Sequence, residues 1–443
     1  MLVSDRSDEG TLDGAAIDGL RKEGVRFEFG GHTAAVFDAD QVVLSPGIPV
    51  SAPIVVQLAE RGVPIVGEIE VAAARCPGKI VGITGTNGKT TTTELVGFCC
   101  RVAGEPGWIA GNVGIPLSES GPNVGENEVV ALELSSFQLE TIDQFRPSVA
   151  VLLNVTPDHL DRYDSFDDYG RAKLGIYRNM MLDDLTIYNV DDPWLRKQLA
   201  DQKQSVPSSL LPFSVEQLLE TGAWIEDGVI RVRLAAGEAS IDVVGVDELG
   251  LVGPHNLSNA LAASLALLQL GVDRGAIAEG LRTFRGLPHR LEEIAMIDGV
   301  IWVNDSKGTN IEATLRALES YDRPIVLIAG GRGKENDYAV LDDAVSARVK
   351  RIIAIGEDAP AIVRAFEAIV PVEECGDQFS EAIDRAAEAA ESGDVVLLSP
   401  ACASFDMFRN FEVRGDEFRR LVATRTDQVT AGLSVAREGG ENG

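Results

Sequence analysis

No stretch of roughly 18 consecutive uncharged apolar residues occurs in the 443-residue chain, which argues against a helical membrane span. Cysteine is scarce. The five present, Cys76, Cys99, Cys100, Cys375 and Cys402, form no C-x-x-C pair, so neither a disulfide framework nor a zinc site is indicated and a reducing cytoplasm fits. The opening MLVSDRSDEG lacks the basic and apolar regions of a secretory signal. Positive charge is also short. Against 69 Asp and Glu stand 39 Lys and Arg, a net charge of −30, which speaks against a nucleic-acid partner held by a general basic surface. Lysine is the rarer cation, 9 against 30 Arg. Excess acid with little lysine fits a chain suited to high salt, where screening tames self-repulsion, and fits an ordinary acidic protein too. Where lysines are few, the retained ones direct attention: Lys89, Lys173, Lys307 and Lys334 all lie in polar motifs, as do His159, His255 and His289.

What is present is ample apolar material, 45% of the chain, at a length that suggests roughly three domains. Apolar β-branched runs alternate with helical patterns, the signature of an α/β protein with parallel sheets. QVVLSPG (41–47), KIVGITG (79–85), NEVVALELSS (127–136) and VAVLLNVTPDH (149–159) read as strands that end in polar residues. AWIEDGVIRVRL (223–234) alternates around Asp227-Gly228, which predicts a hairpin and a small antiparallel insert. HNLSNALAASLALLQLG (255–271) is a helix closed by glycine. After FRGLPHR (284–290) a fresh series begins, VIWVND, PIVLIAGG, RIIAIG and DVVLLSP, which reads as an independent doubly wound domain. Boundaries near 72 and 287 divide the chain into 1–72, 73–286 and 287–443.

The string GITGTNGKTTTTELV (82–96) resembles a phosphate loop with its first glycine displaced. The common pattern G-x-x-x-x-G-K-[ST] would place glycine at 83, where Ile83 stands; Gly82 and Gly85 flank that place. The context is nevertheless right. A buried strand leads into Gly85, Thr86, Asn87, Gly88, Lys89, Thr90 and Thr91, and a helix follows, so backbone N–H groups and a helix dipole face the loop. Lys89 offers a mobile charge for β/γ phosphates, and Thr90 a hydroxyl for Mg²⁺. Kinases, GTPases, motors and ligases all share this much.

Other strand ends carry candidates of their own. Glu133 closes VVALE, where a carboxylate either holds Mg²⁺ or is simply solvated. His159, in NVTPDHLDRY (154–163), suits a substrate contact, a metal ligand or a helix cap. Lys173, among Ala172, Leu174 and Ile176, either faces inward, where it must be paired or chemically altered, or snorkels to the surface. In the last segment three polar loops follow strands: NDSKGTN (304–310), AGGRGKEND (329–337) and SPACASFD (399–406). Together they favour a face that binds an anion or an amino acid. Arg290, at the boundary, is placed either to reach a nucleotide or to form an ion pair between domains.

Taken together, GTNGKTTT, GNVGIP, LELSSFQLE, NVTPDHLDRY, RAKL, GPHNLSNALAA, GLPHR, NDSKGTN and SPACASFDMFRNFEVRGDEF resemble the Mur ligases, ATP-dependent amide ligases of peptidoglycan precursor synthesis. The resemblance runs from about 41 to 422, and LELSSFQLE and SPACASFD are particular to the D-glutamate-adding branch. It implies a Rossmann-like UDP-binding domain, a central ATPase and a C-terminal Rossmann-like amino-acid domain. It further implies that the carboxylate of UDP-N-acetylmuramoyl-L-alanine attacks ATP to give an acyl phosphate, which the amine of D-glutamate displaces. A monomer in the cytoplasm, with two Mg²⁺ sites, is the expected state.

By the same resemblance Lys89, His159 and Lys173 are catalytic, and Thr90, Glu133, His159 and a carbamylated Lys173 hold metal. Gly85 to Thr91, Asn256, Asn259, Arg290, Asp305 and Lys307 bind ATP. Asp5, Arg6, Ser45, Pro46, Gly47, Asn112, Ser135 and Gln138 meet the UDP substrate, and Thr309, Lys334, Ser404, Phe405 and Phe411 meet D-glutamate. The family's first domain opens with a strand and a glycine-rich loop, which this sequence is expected to lack. The alternatives are a sister ligase of the Mur or folylpolyglutamate type and, from another class, a kinase or nucleotide switch. The chain holds neither N-K-x-D nor H-R-D to support the latter.

Overall fold

The run IVGIT between Lys79 and Thr84 is buried on both faces, as a central parallel strand requires. In the computed structural model, which describes residues 1–11, 14–158, 162–200, 206–251, 253–333 and 337–439, this run becomes strand β5 (Lys79–Thr84). Four short strands precede it in two parallel pairs: β1 (Leu2–Ser4) with β2 (Arg26–Glu28), and β3 (Val42–Leu44) with β4 (Ile65–Gly67).

After β5 come β6 (Trp108–Gly111), β7 (Val129–Glu133), β8 (Val149–Leu152), β9 (Leu185–Asn189), β10 (Ser209–Ser214), β11 (Gly222–Glu226), β12 (Val229–Arg233) and β13 (Ile241–Gly245). They form one sheet of nine strands in the order β13-β12-β11-β10-β9-β8-β5-β7-β6. The chain leaves β5 for β6 and β7 on one side and returns to β8 on the other. The loop after β5 therefore opens at the topological switch point, where parallel sheets present their ligand crevice.

The expected hairpin is present. Asp227 (φ 51°) and Gly228 (φ 72°) both take left-handed conformations, as a type I′ turn between β11 and β12 demands. The hairpin is no separate layer, because β11 pairs in parallel with β10 and extends the same sheet.

By its packing the chain divides into two compact units, Met1–Val243 with Leu261–Ile277, and Val244–Ala260 with Ala278–Gly443. In the first unit the early strands are tied to the central sheet. The Glu70 carboxylate accepts the backbone N–H groups of Asp143, Gln144 and Phe145, each at 2.9 Å. Nearby, Gly67 N–H donates to Thr141 O at 3.0 Å.

The second unit holds a six-stranded sheet of β14 (Glu292–Ile297), β15 (Val300–Asn304), β16 (Ile325–Gly330), β17 (Val349–Ile355), β18 (Val372–Gly376) and β19 (Val395–Leu398), in the order β14-β15-β19-β16-β17-β18. Four of these strands carry the apolar runs read from the sequence. The edge strand β14, antiparallel to β15, was not foreseen; Met296 within it is 67% exposed, which masks the apolar signal of a buried strand. Since β15, β19 and β16 are parallel neighbours, the three polar loops that follow them emerge side by side.

Close approach governs the end of β16. Gly330 has φ 124°, and a Cβ built on it would lie 1.9 Å from Ile355 O of β17. Gly330→Ala should therefore destabilise this unit by about 2 kcal/mol or more, read as a lower urea midpoint; an unchanged midpoint would contradict the packing described.

Candidate functional site

Between β5 and the helix Lys89–Val102 the chain turns through Gly85-Thr86-Asn87-Gly88. Gly88 caps the helix at φ 81°, a backbone angle that glycine adopts without the steric cost of a Cβ. Hydrogen bonds tie the loop to Asn154 and Thr156 of the segment leaving β8, and to Tyr169 of the helix Phe166–Leu174. The Asn154 carboxamide accepts from Asn87 N at 2.8 Å and donates to Asn87 O at 3.1 Å. The Thr86 hydroxyl donates to Thr156 O at 3.2 Å and accepts from Thr156 N at 3.0 Å and from Tyr169 OH at 3.2 Å. This is a rigid cradle, although it departs from the usual glycine spacing.

Within the cradle Lys89 Nζ donates to Gly85 O at 2.8 Å and Thr86 O at 2.7 Å. An ammonium held by the loop's own carbonyls stays close to where phosphates would lie. Thr90 and Thr91 are half-buried in the first helical turn.

Lys173 faces inward. It is 1% exposed, its Nζ donates to Gly85 O at 2.9 Å, and it lies 4.4 Å from the centre of the Tyr169 ring, one helical turn earlier. Burial, reinforced by the charge of Lys89, holds its amine well below the usual lysine range; Asp158 and Glu133 pull the other way. Lowering the amine's pKa enlarges its neutral, nucleophilic fraction at any given pH.

Glu133 at the end of β7 is 2% exposed. Its Oε1 accepts from Asn112 Nδ2 at 2.8 Å, while Oε2 is buried with no hydrogen-bond partner among the described residues. A buried carboxylate oxygen left without a donor suits a hard cation. Among the described residues no group of three or more His, Cys, Asp or Glu side chains is placed to hold a metal. A single buried carboxylate fits Mg²⁺, which keeps several waters and is commonly held by one or two carboxylates together with substrate phosphates. His159 lies outside the described residues.

Of the residues expected to meet the UDP substrate, Asn112 belongs to this cluster through Glu133. Ser135 and Gln138 engage each other: Ser135 Oγ caps Gln138 N at 3.2 Å, and Ser135 N donates to Gln138 Oε1 at 3.0 Å. That reciprocal box fixes the start of the helix Ser136–Leu139. Asp5 accepts from Ser7 N at 2.7 Å in the turn after β1, a bond that lowers its pKa, and Arg6 beside it is exposed. Ser45, Pro46 and Gly47 form an exposed turn after β3.

In the second unit, Asn259 Nδ2 donates to Asn256 Oδ1 at 3.0 Å. Asp305 accepts from Ser399 Oγ at 2.7 Å and Leu291 N at 3.3 Å. Burial pushes its carboxyl up to about 7 against those bonds and against Arg290 and Arg414. Lys307 Nζ sits 3.9 Å from the centre of the Phe411 ring, Thr309 is half-buried, and Ser404 is 2% exposed. Phe405, by contrast, is 64% exposed, and Lys334 lies outside the described residues.

The sequence reading passed over three residues that shape these sites. Asn154 clamps the loop, Tyr169 reaches Thr86, and Arg414, 1% exposed, spans Ser306 and Cys402 O with bonds of 2.8–3.3 Å. Asn154 opens the polar string after β8, and Tyr169 precedes Lys173 by four residues. Those spacings are detectable signals; nothing local marks Arg414 as buried.

Three family models match the chain: the Mur ligase middle domain over 83–267, the Mur ligase glutamate ligase domain over 289–402 and the MurD N-terminal domain over 3–53. The UDP-N-acetylmuramoylalanine--D-glutamate ligase of Salinibacter ruber is 46% identical over 93% of this chain and 90% of its own length. The Alkaliphilus metalliredigens protein of the same name is 40% identical over 96% and 92%. Among solved structures, a MurF ligase from Thermotoga maritima in complex with ADP aligns at TM-score 0.61 with 18% identity, covering 96% of this chain and 95% of that one. At that identity the likeness speaks to fold alone. With relatives this similar along nearly their whole length, the chain belongs to the Mur ligase family.

Proposed function

We propose that the chain joins D-glutamate to UDP-N-acetylmuramoyl-L-alanine with cleavage of ATP to ADP and phosphate. The observation that carries the reading is the buried Lys173 amine at the phosphate loop, with Glu133 contributing to its electrostatic surroundings. The names of the relatives supply the substrates. The division into 1–72, 73–286 and 287–443 belongs to the same reading and is supported by where each sheet begins and ends.

In the reaction a carboxylate oxygen of the muramoyl-alanine forms a bond to the γ-phosphorus, and the bond to the ADP oxygen breaks. The amine of D-glutamate then bonds to the acyl carbon, phosphate leaves with the electron pair, and the amine loses a proton. The obstacle is charge, since an anion must approach a polyanion. Lys89, held at the loop carbonyls, offsets part of that repulsion, and the loop N–H groups take up developing charge. Thr90, Glu133, His159 and Lys173 as a carbamate would hold Mg²⁺ at two sites, which would neutralise phosphate charge.

Lys173 reaches that anionic form when its neutral amine bonds to the carbon of CO₂ and releases one proton. The buried lysine then becomes a carboxylate, and its Coulomb interaction with Lys89 turns from repulsion to attraction. Asn256, Asn259, Arg290, Asp305 and Lys307 serve the nucleotide. Thr309, Lys334, Ser404, Phe405 and Phe411 serve D-glutamate, whose two carboxylates suit Lys334 and hydroxyl donors. Asp5, Arg6, the 45–47 turn, Asn112, Ser135 and Gln138 serve the UDP substrate.

Phosphate release measured with each substrate omitted in turn should require ATP, UDP-N-acetylmuramoyl-L-alanine and D-glutamate together. Preference for L-glutamate or a diamino acid would indicate a sister ligase, and phosphoryl transfer to a hydroxyl a kinase. Protein equilibrated with ¹³C-bicarbonate should show one carbamate carbon resonance that is absent in Lys173→Ala. Because burial lowers the amine's pKa, more of it is neutral at a given pH than for an exposed lysine, so the resonance should persist to lower pH than a carbamate on an exposed lysine. Lys173→Ala should lose about a hundredfold or more in turnover, without recovery in excess bicarbonate. Glu133→Gln should raise the Mg²⁺ concentration needed for half-maximal rate by roughly tenfold or more; an unchanged requirement removes Glu133 from the metal.

A further inference from the structure

Arg162 has no step in the proposed chemistry, yet it joins three segments of the first unit. Its guanidinium carbon lies 3.7 Å from the centre of the Phe137 ring, Nη2 is 3.3 Å from Glu140 Oε2, and Nη1 donates to Pro46 O at 3.3 Å. The ion pair is shielded, with side-chain exposures of 17% and 15%, so solvent screens it less than an ordinary surface pair. Only arginine combines a planar face that stacks with in-plane N–H groups that reach two acceptors.

Phe137 and Glu140 bracket Gln138, and Pro46 is the middle of the Ser45-Pro46-Gly47 turn. Phe137 in turn stacks on Tyr163 at 6.1 Å, and Tyr163 meets Tyr169 at 5.4 Å, whose hydroxyl donates to Thr86 of the phosphate loop. Aromatic rings packed in series give the guanidinium a stiff backing.

We infer that Arg162 is a positioning residue that sets the 45–47 turn against the segment Phe137–Glu140 and so fixes affinity for the sugar-nucleotide substrate. This rests on the function proposed above.

Arg162→Met keeps an apolar stem over Phe137 and removes the charge. It should raise KM for UDP-N-acetylmuramoyl-L-alanine about tenfold, leaving KM for ATP and D-glutamate within about twofold. Arg162→Lys should recover part of the loss. Glu140→Gln should raise the same KM less, and the double variant should fall short of the sum of the two effects. A rise in all three KM values together, a fall in kcat alone or no change at all would overturn the inference. If Arg162→Met does not fold, Glu140→Gln decides, and an unchanged KM for the sugar nucleotide counts against us. Calorimetric titration of the same sugar nucleotide separates the two claims. Wild-type protein that binds it but does not ligate defeats the proposed function and leaves the Arg162 comparison readable as Kd; wild-type protein that does not bind it defeats both.

Discussion

A lysine amine buried beneath a phosphate loop is the constraint on which the central site depends. Lys173 is almost wholly removed from water and hydrogen-bonds the carbonyl of Gly85. Burial disfavours the charged ammonium and holds the amine's pKa well below the usual lysine range. The neighbours answer to that constraint. Lys89 repels the charged form, while Glu133 and Asp158 draw it back. One negative group added to the nitrogen would turn its interaction with Lys89 from repulsion to attraction.

The loop itself is held in place by contacts that its own sequence does not contain. Glycines at 85 and 88 permit the turn, but Asn154 and Thr156 from the end of β8, and Tyr169 from a later helix, hold it there. The parallel pairing of β5 with β8 brings those groups to the loop. Displacement of one glycine is tolerated because the cradle is braced from outside as well as from within. The same logic applies in the second unit. Asp305 after β15 meets Ser399 after β19, and Arg332 after β16 shares backbone bonds with Ala403, because β19 lies between the other two strands.

Legibility followed the length and burial of each element. Central strands such as β5, β7, β8, β16 and β19, and the second half of β17, announce themselves as apolar runs, since both faces are covered there. The Asp227-Gly228 turn announced its hairpin through its need for positive φ. Edge strand β14 and the short strands β2 and β4 did not, because a half-exposed strand of few residues carries too little pattern, whereas β3 was read from QVVLSPG. Lys89, Glu133 and Lys173 were singled out by type and place, and the structure puts Lys89 and Lys173 at the carbonyl of Gly85 and buries Glu133. Ser135 and Gln138 were named as substrate contacts, whereas their mutual capping bonds emerge only in three dimensions.

By itself the sequence determined the α/β class, the strand–glycine loop–helix around Gly85 to Lys89, and the resemblance to the Mur ligases. These depend on local spacing and on burial patterns that a linear string preserves. Tertiary structure alone decided which carboxylate oxygen lacks a donor, that Lys173 faces inward, and that Asn154, Arg162 and Arg414 are joints between distant segments. Burial and partnership are properties of what the fold brings alongside a residue, and for these three the partners lie 12 to 116 positions away.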